Sequence, residues 1–152
     1  MHIIAAKAIC FKRAMTDEFK QYSQDVVKNT AAMARGIEDG GLRLVSGGTD
    51  NHICLIDCKP SGATGTEVEE ACAKANFVFN KNTIPFDELP PSVCSGIRIG
   101  AAPVTTRGFS EDECYDVASA IAKIAFNVED DATIEHASQV ANGLLAKHPL
   151  YE

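Results

Sequence analysis

Apolar side chains recur at helical spacing along several long segments of the chain, and this periodicity predicts its helices. Residues 2–13 form an alanine-rich segment without a helix-breaking residue, which predicts a first helix. A second helix begins at Thr16 or Asp17, either of which can cap it, and ends at the Gly40-Gly41 pair. Its apolar stripe comprises Phe19, Tyr22, Val26, Thr30, Met33 and Ile37.

Capping boxes mark the beginnings of two later helices. In this motif a Ser or Thr side chain accepts from the backbone of a Glu three residues later, and the Glu side chain accepts in return. Thr64 with Glu67, and Ser110 with Glu113, have this spacing. The helix after Ser110 has an apolar side made of Cys114, Val117, Ile121, Ile124 and Val128. A final helix is predicted over residues 131–147.

Short runs of β-branched and aromatic residues predict the strands. Residues 42–45 and 52–58 flank a Gly-rich turn and predict an antiparallel pair. Residues 77–79 and 97–99 predict two further strands. Residues 80–94 contain three prolines and little periodicity, so they predict a long loop of the kind that is usually functional.

These elements predict an α+β fold: a two-layer sandwich of a small, mostly antiparallel sheet with helices, preceded by a helical arm. We assign residues 1–40 to the arm and residues 41–152 to the small α+β domain. The arm opens directly on apolar residues, including Ile3 and Ile4. Such a surface is expected to be covered by a partner, so we expect self-association of the isolated chain.

Composition narrows the classes of function that the chain can have. The 152 residues, 45% of them hydrophobic, are enough for one globular domain. The net charge of −7 argues against a nucleic-acid surface, which needs clustered Lys and Arg. The sequence has no apolar run long enough to cross a membrane and no signal-peptide layout. The six cysteines lack zinc-site spacing and are expected to be reduced, as in a cytoplasmic protein.

The segment from Ser95 to Gly100 places one arginine in a short strand. Because side chains alternate across a strand, Ile97 and Ile99 share one face and Arg98 lies on the other. The glycines two residues before and after Arg98 are expected to leave open space around its guanidinium group. An arginine so placed can bind a carboxylate through two parallel hydrogen bonds, although on these six residues alone a surface ion pair is the commoner explanation.

Three motifs in a fixed order carry a resemblance to a known family. They are VSGGTDNH at 45–52, NKNTIP at 80–85 and SGIRIG at 95–100, with TTRG at 105–108 just behind. In this order and spacing the chain resembles the C-terminal portion of serine hydroxymethyltransferase of the bacterial type. The resemblance extends over essentially the whole chain, including the terminal HPLY at 148–151.

The resemblance implies the small domain of a fold-type I enzyme that uses pyridoxal phosphate and tetrahydrofolate. Such an enzyme interconverts serine plus tetrahydrofolate with glycine plus methylene-tetrahydrofolate, between a large cofactor-binding domain and this smaller one. The family's Schiff-base lysine and its other cofactor-holding groups correspond to positions before Met1. The resemblance therefore implies that this chain contains no catalytic residue, that it binds no pyridoxal phosphate alone and that it is inactive without the large domain.

The resemblance also implies site residues. Arg98 matches the arginine that binds the substrate carboxylate, and Asn82 matches an asparagine that contacts the pterin ring of the folate. Pro90, Pro91 and Ser92 occupy a second folate-contacting stretch, where bacterial members commonly have Ser-Pro-Phe, so only the middle proline matches. A local turn role for Asn82, and a plain rigid loop for the other three residues, stay open as alternatives.

Other polar residues in these motifs are expected to be structural. Asp50, Asn51 and His52 match a turn that the family carries near its active-site cleft, and we expect Asp and Asn side chains to hold that turn. Lys81 matches no Schiff-base position and is expected to extend from a strand end. Arg107 is expected to be a structural or interface charge.

Two functions of other classes are alternatives to the half-site of a hydroxymethyltransferase. One is a free-standing module that binds folate or a small carboxylate through Asn82 and Arg98. The other is a structural or interaction domain whose apolar arm docks onto a partner.

Overall fold

This computed structural model describes residues 1–150, which form six α-helices and four strands. Tyr151, in the terminal motif, lies outside the described residues. The helices are α1 (His2–Ala14), α2 (Asp17–Asp39), α3 (Gly65–Lys74), α4 (Ala102–Thr106), α5 (Glu111–Ala125) and α6 (Asp131–Lys147). The strands are β1 (Arg43–Leu44), β2 (Ile53–Asp57), β3 (Asn80–Asn82) and β4 (Gly96–Gly100). A short 3-10 helix, Lys59–Ser61, follows β2. None of the helices described has the length and apolar content needed to span a bilayer.

The strands form one antiparallel sheet in the order β1-β2-β4-β3. Alternation along β2 and β4 buries one set of side chains, with Ile56 and Ile97 fully buried and Cys54 and Ile99 nearly so. These residues join the helices in a single apolar core. The predicted two-layer α+β architecture with an N-terminal helical arm is therefore confirmed.

The third strand is not where the apolar pattern predicts it. Residues 77–79 do not pair in the sheet, and β3 begins at Asn80, opposite Arg98. The reason is the end of α3: Asn76 has a φ of +66°, and the N–H of Phe77 donates to the carbonyl of Cys72 at 3.0 Å. Phe77 is then buried in the core as an anchor, while Val78 is 93% exposed. The predicted strand at Phe77–Phe79 is wrong because helix capping and core packing outweigh the β propensity of these residues.

The two N-terminal helices differ in what they contact. No residue of α1 is buried. The second half of α2 packs on the sheet and on α5, burying Val26, Thr30, Met33 and Ile37 of the predicted stripe, whereas Phe19 stays 42% exposed. Within residues 1–150, α1 is thus the free part of the arm and α2 belongs to the core. The division at residues 40 and 41 stays a prediction about the longer protein.

Side-chain caps fix the helix starts as the sequence predicts. Thr16 caps α2, and both capping boxes form, with Thr64 and Glu67 at α3 and Ser110 and Glu113 at α5. Two details differ from the prediction: α5 ends at Ala125, so Val128 lies beyond it, and the short helix α4 was not predicted.

Replacing Thr64 by alanine is expected to lower the free energy of unfolding by about 1 kcal/mol, because the N–H of Glu67 loses its acceptor. Urea unfolding followed by circular dichroism measures this change. Thr83→Ala is the matched control, since Thr83 is exposed and caps no helix. Equal losses in the two variants would contradict the capping role.

Candidate functional site

The face of the sheet that points away from the apolar core carries exposed and half-buried residues of the sequence motifs. We call it the open face and define it by Ile53 and Leu55 on β2, Arg98 on β4, and Asn80 and Asn82 on β3. The strand register places Leu55 and Asn80 on either side of Arg98, and Asn82 beside Gly96. Directly paired residues share a face, with Cβ atoms about 5 Å apart. The open face is therefore a shallow platform with one central cation.

The Arg98 guanidinium is exposed and, within residues 1–150, takes part in no ion pair. Its nearest acidic neighbour in the sheet, Asp57, pairs with Gly96 in the register and lies on the same face. The two oxygens of Asp57 are already engaged: Oδ2 accepts from Arg43 at 2.7 and 3.1 Å, and Oδ1 accepts from the N–H of Lys59 at 2.9 Å. Among the described residues the positive charge of Arg98 is thus available to a ligand, and the surface ion pair considered from the sequence does not form there.

The glycines beside Arg98 do not leave empty space. A Cβ on Gly96 would lie 2.5 Å from the carbonyl oxygen of Ile56 and 2.6 Å from a methyl group of Ile84. A Cβ on Gly100 would lie 2.8 Å from the carbonyl oxygen of His52. Glycine is required at both positions because neighbouring chain occupies the space, so the expectation of a glycine-cleared hollow is wrong. Arg98 is open because no element covers it.

The two asparagines of β3 are placed differently toward Arg98. Asn82 pairs with Gly96, two residues along the strand from the Asn80–Arg98 pair, and its side-chain amide donates to the carbonyl of its neighbour Thr83 at 2.8 Å. Its amide oxygen is left as an acceptor. Asn80 is directly opposite Arg98 and exposed, and the sequence did not single it out. The signal that could have found it is the alternation of Asn80 and Asn82 around Lys81, once β3 is placed at residues 80–82.

The predicted stretch at Pro90, Pro91 and Ser92 lies in the connection from β3 to β4 and is exposed. Thr66 holds it against the start of α3: the Thr66 hydroxyl donates to the Ser92 and Val93 carbonyls at 3.2 and 2.8 Å. These contacts bring the stretch to the end of β4 at which Asn82 also lies. These hydrogen bonds hold backbone carbonyl groups, as a rigid loop requires. The side chains of Pro90, Pro91 and Ser92 are not used in them and stay exposed.

A single carboxylate organises the β3–β4 connection. Asp87 accepts from the N–H groups of Ile84, Leu89 and Ser95 at 3.2, 3.1 and 2.9 Å, and from the Ser95 hydroxyl. The hydrogen bond from the Ser95 side chain, followed by those from the backbone, holds the pKa of Asp87 well below its usual range. Asp87 therefore fixes the loop that carries the predicted folate-contacting residues. No motif in the sequence indicates this role of Asp87.

Replacing Asp87 by asparagine is expected to loosen the loop, because a neutral amide has one oxygen for four donors. Amide hydrogen exchange at residues 84–95 should rise at neutral pH. Because the folded-state pKa of Asp87 is depressed, its contribution is present above the usual carboxyl pKa of about 4 and is lost as the pH falls below it. The melting temperature of the variant should accordingly depend less on pH in that acid range.

Glu88→Gln is the matched control for Asp87→Asn, since Glu88 is exposed in the same loop. Identical hydrogen exchange in the two variants would contradict the organising role of Asp87.

The turn at residues 46–52 borders the open face. Its side chains bond within the turn: the Thr49 hydroxyl donates to the Ile53 carbonyl at 2.7 Å, and the Asn51 amide oxygen accepts from the Ile53 N–H at 3.0 Å. Asn51 also donates to Asp50 at 3.3 Å. A shallow hollow lies between this turn, Ile53 and Leu55. The predicted structural role of the turn is confirmed, and its position beside Leu55 makes it a wall of the open face.

The residues that the structure describes, 1–150, do not fit a site that holds pyridoxal phosphate. Lys81 lies on the opposite side of the sheet from Arg98, where its ammonium group pairs with Glu69 at 3.5 Å. Holding the cofactor through a Schiff base needs a lysine on the ligand side and a phosphate-binding backbone loop. The Gly47-Gly48 turn leads into strand β2 and does not open a helix of the kind that receives a phosphate.

The cysteines and Arg107 have structural positions. Burial raises the pKa of Cys54 to about 11 and those of Cys58 and Cys114 to about 12. These thiols are protonated at neutral pH and are not nucleophiles. Five of the six cysteines are buried, whereas Cys10 is exposed on α1. Arg107 donates to the carbonyl of His148 at 3.1 Å and ties the end of α6 to the loop after α4, as expected of a structural charge.

Comparison with protein-family models agrees with the motifs and with the fold. The model for serine hydroxymethyltransferase matches residues 1–121, which include the open face and all the predicted site residues. Enzymes of that family generally depend on pyridoxal phosphate. The matched segment covers more than half of the chain. The chain therefore belongs to the serine hydroxymethyltransferase family and corresponds to its C-terminal portion.

Proposed function

We propose that this chain supplies the substrate-carboxylate and folate contacts of a hydroxymethyltransferase that interconverts serine and glycine with tetrahydrofolate. The observation that carries the proposal is the Arg98 guanidinium, exposed at the centre of the open face while Arg43 and the Lys59 backbone satisfy the adjacent Asp57. A guanidinium that has no acidic partner within residues 1–150 attracts an anion, and its planar shape suits a carboxylate.

The proposed role of Arg98 is to orient the amino acid as well as to bind it. Two parallel hydrogen bonds to the carboxylate restrict rotation of the substrate. In a pyridoxal phosphate enzyme, orientation of the substrate decides which bond lies perpendicular to the cofactor ring and therefore which bond breaks. Asn80, opposite Arg98, is placed to donate an additional hydrogen bond from its side-chain amide.

For the folate we propose contacts along the other side of the open face. Asn82 offers an amide oxygen to the donors of the pterin edge, since its nitrogen donates to Thr83. Pro90, Pro91 and Ser92 form an exposed, anchored surface at the same end of β4. Asp87 supports both groups by fixing the loop between them. The specific pairing with a reduced folate is inferred from family membership and from this arrangement.

The cofactor is proposed to be held by the large domain of the same enzyme, which places the reacting atoms opposite the open face. The chain alone is then inactive. Mixed alone with pyridoxal phosphate, it is expected to show no absorbance band of lysine-bound cofactor and no turnover of serine. Serine turnover by the purified chain would overturn the proposal.

Fragment complementation tests the proposed role directly. The chain is combined with a separately produced large domain of a bacterial hydroxymethyltransferase, and glycine formation from serine is measured with tetrahydrofolate present. Activity that needs both pieces, and that Arg98→Ala removes, supports the half-site. Equal activity with the wild-type chain and with Arg98→Ala would contradict it. Calorimetry of the chain alone with a reduced folate examines the free-standing binding module, which predicts tight binding without the large domain.

The exposed apolar side chains of α1 predict self-association when the large domain is absent. Ile3, Ile4, Ile9 and Phe11 are each about 60% exposed, and Met15 is 87% exposed. Light scattering should give a mass above that of a monomer for the whole chain, and a monomer for a chain beginning at Thr16. A clean monomer of the whole chain at high concentration would contradict this prediction.

A further inference from the structure

Phe86 occupies a backbone conformation that disfavours it and exposes its ring. Its φ is +58°, and the residue is 98% exposed. It is third in a four-residue turn that begins at Ile84, with Pro85 second and the N–H of Asp87 donating to the Ile84 carbonyl at 3.1 Å. A turn with proline second and positive φ third usually has glycine or asparagine at that third position. A bulky side chain there is strained, because its Cβ crowds the backbone.

Packing does not explain the choice of phenylalanine at this position. The other two described non-glycine residues with positive φ have local explanations. Asn76 is a residue type that tolerates the conformation, and Cys94 is buried with its thiol donating to the Pro91 carbonyl. Phe86 neither packs in the core nor suits the backbone. A strained, exposed residue that its surroundings hold in place points to a function.

Phe86 is held at the rim of the open face. The Ile84 methyl group, at the start of the turn, covers Gly96 on the Arg98 side of the sheet. Gly96 and Arg98 are two strand residues apart, which is about 7 Å. The Asp87 carboxylate binds the turn at one end and Ser95 at the other, so the turn is fixed relative to β4. The turn that carries Phe86 is therefore fixed beside the strand residues Gly96 and Asn82 of the open face, with its ring exposed.

We propose that Phe86 is a recognition residue that stacks on the flat ring system of the folate. This inference rests on the proposed function and adds a contact that the family motifs do not indicate. A lone aromatic ring between proline and acidic residues fits a small flat ligand better than the core of a protein interface, which needs several clustered anchors. It supplies the aromatic surface that the stretch at Pro90–Ser92 lacks.

The test replaces Phe86 by asparagine, which fits a positive φ. Removing the strain is expected to raise the melting temperature by a few degrees. Losing the ring is expected to weaken binding of 5-formyltetrahydrofolate by about tenfold in ligand-observed NMR titrations of the chain combined with the large domain. Phe86→Tyr should keep the wild-type affinity. Phe19→Asn, at an exposed aromatic on α2, is the matched control and should leave binding unchanged.

The results separate the proposed Phe86 contact from the proposed function on which it rests. If Phe86→Asn binds the folate as the wild type does, while Asn82→Ala loses it, the role of Phe86 is overturned and the proposed function stands. If the complex of the wild-type chain with the large domain shows no folate signal at millimolar concentration, the Phe86 contact and the folate part of the function both fail. A glycine signal that Arg98→Lys removes would still support the carboxylate part. If Phe86→Asn changes only the mass measured by light scattering, the ring belongs to a protein interface and the proposal is overturned.

Discussion

Replacing Arg98 by lysine is expected to lower the activity of the complemented enzyme by about ten- to a hundredfold. Lysine keeps the positive charge and loses one of two parallel hydrogen bonds to the carboxylate. A hydrogen bond to a charged group contributes about 1.5–3 kcal/mol, which corresponds to that range. Because the guanidinium is exposed and unpaired within residues 1–150, the substitution removes no contact that stabilises the fold. The melting temperature should therefore stay near that of the wild type.

The measurement is kcat/KM for serine in the complemented enzyme, taken together with thermal unfolding of the isolated chain. Arg35→Lys is the matched control, since Arg35 is exposed on α2 and distant in sequence from the sheet motifs. A loss of activity below twofold for Arg98→Lys would show that charge alone is sufficient and that the two-bond geometry is unimportant. If Arg98→Lys also lowers the melting temperature by several degrees, the loss of activity would be explained by unfolding and Arg98 would have a structural role.

Alanine at two helical glycines is expected to change stability in opposite directions. Gly36 lies where α2 crosses α5: a Cβ there would be 2.6 Å from the carbonyl oxygen of Tyr115 and 3.0 Å from the Cβ of Ala118. The helices must move apart, so Gly36→Ala should destabilise the domain by about 1–3 kcal/mol. Gly143, on the exposed side of α6, has open space where its Cβ would lie. Gly143→Ala should stabilise by about 0.5–1 kcal/mol, because alanine favours helix.

Urea unfolding of both variants gives the two free energies, with equal denaturant slopes required for the comparison. The two substitutions add the same atoms in the same secondary structure, so propensity contributes equally to both. The difference between them isolates the helix–helix contact. Stabilisation by Gly36→Ala would mean that α2 and α5 are farther apart than described, and a loss with Gly143→Ala would mean that α6 packs on something at that position.

The sequence alone determined those parts of the fold that depend on neighbouring residues. Caps at Thr16, Thr64 and Ser110 are formed by side chains within three positions of the N–H groups that they accept, so a short pattern predicts them correctly. Helical periodicity placed the buried side of α2 and α5, and strand alternation placed Ile97 and Ile99 inward and Arg98 outward. The ordered motifs placed the chain in its family, which the family model confirms.

The tertiary structure decided what depends on residues distant in the sequence. Pairing with β4 places β3 at Asn80–Asn82, whereas β propensity favours a strand at Phe77–Phe79. The aromatic segment does not form a strand because it serves in helix capping and core packing. Asp57 pairs with Arg43, and Arg98 has no ion-pair partner among the described residues. The sequence around Arg98 does not indicate that Asp57 pairs with Arg43 instead. The bonds from Asp87 to Ser95 and the contact of Gly36 with α5 likewise join segments that only folding brings together. Interactions between residues close in the sequence determine most of the helices and strands. Whether a charge such as that of Arg98 is available, or a glycine such as Gly36 is required, depends on residues that only the folded chain brings near.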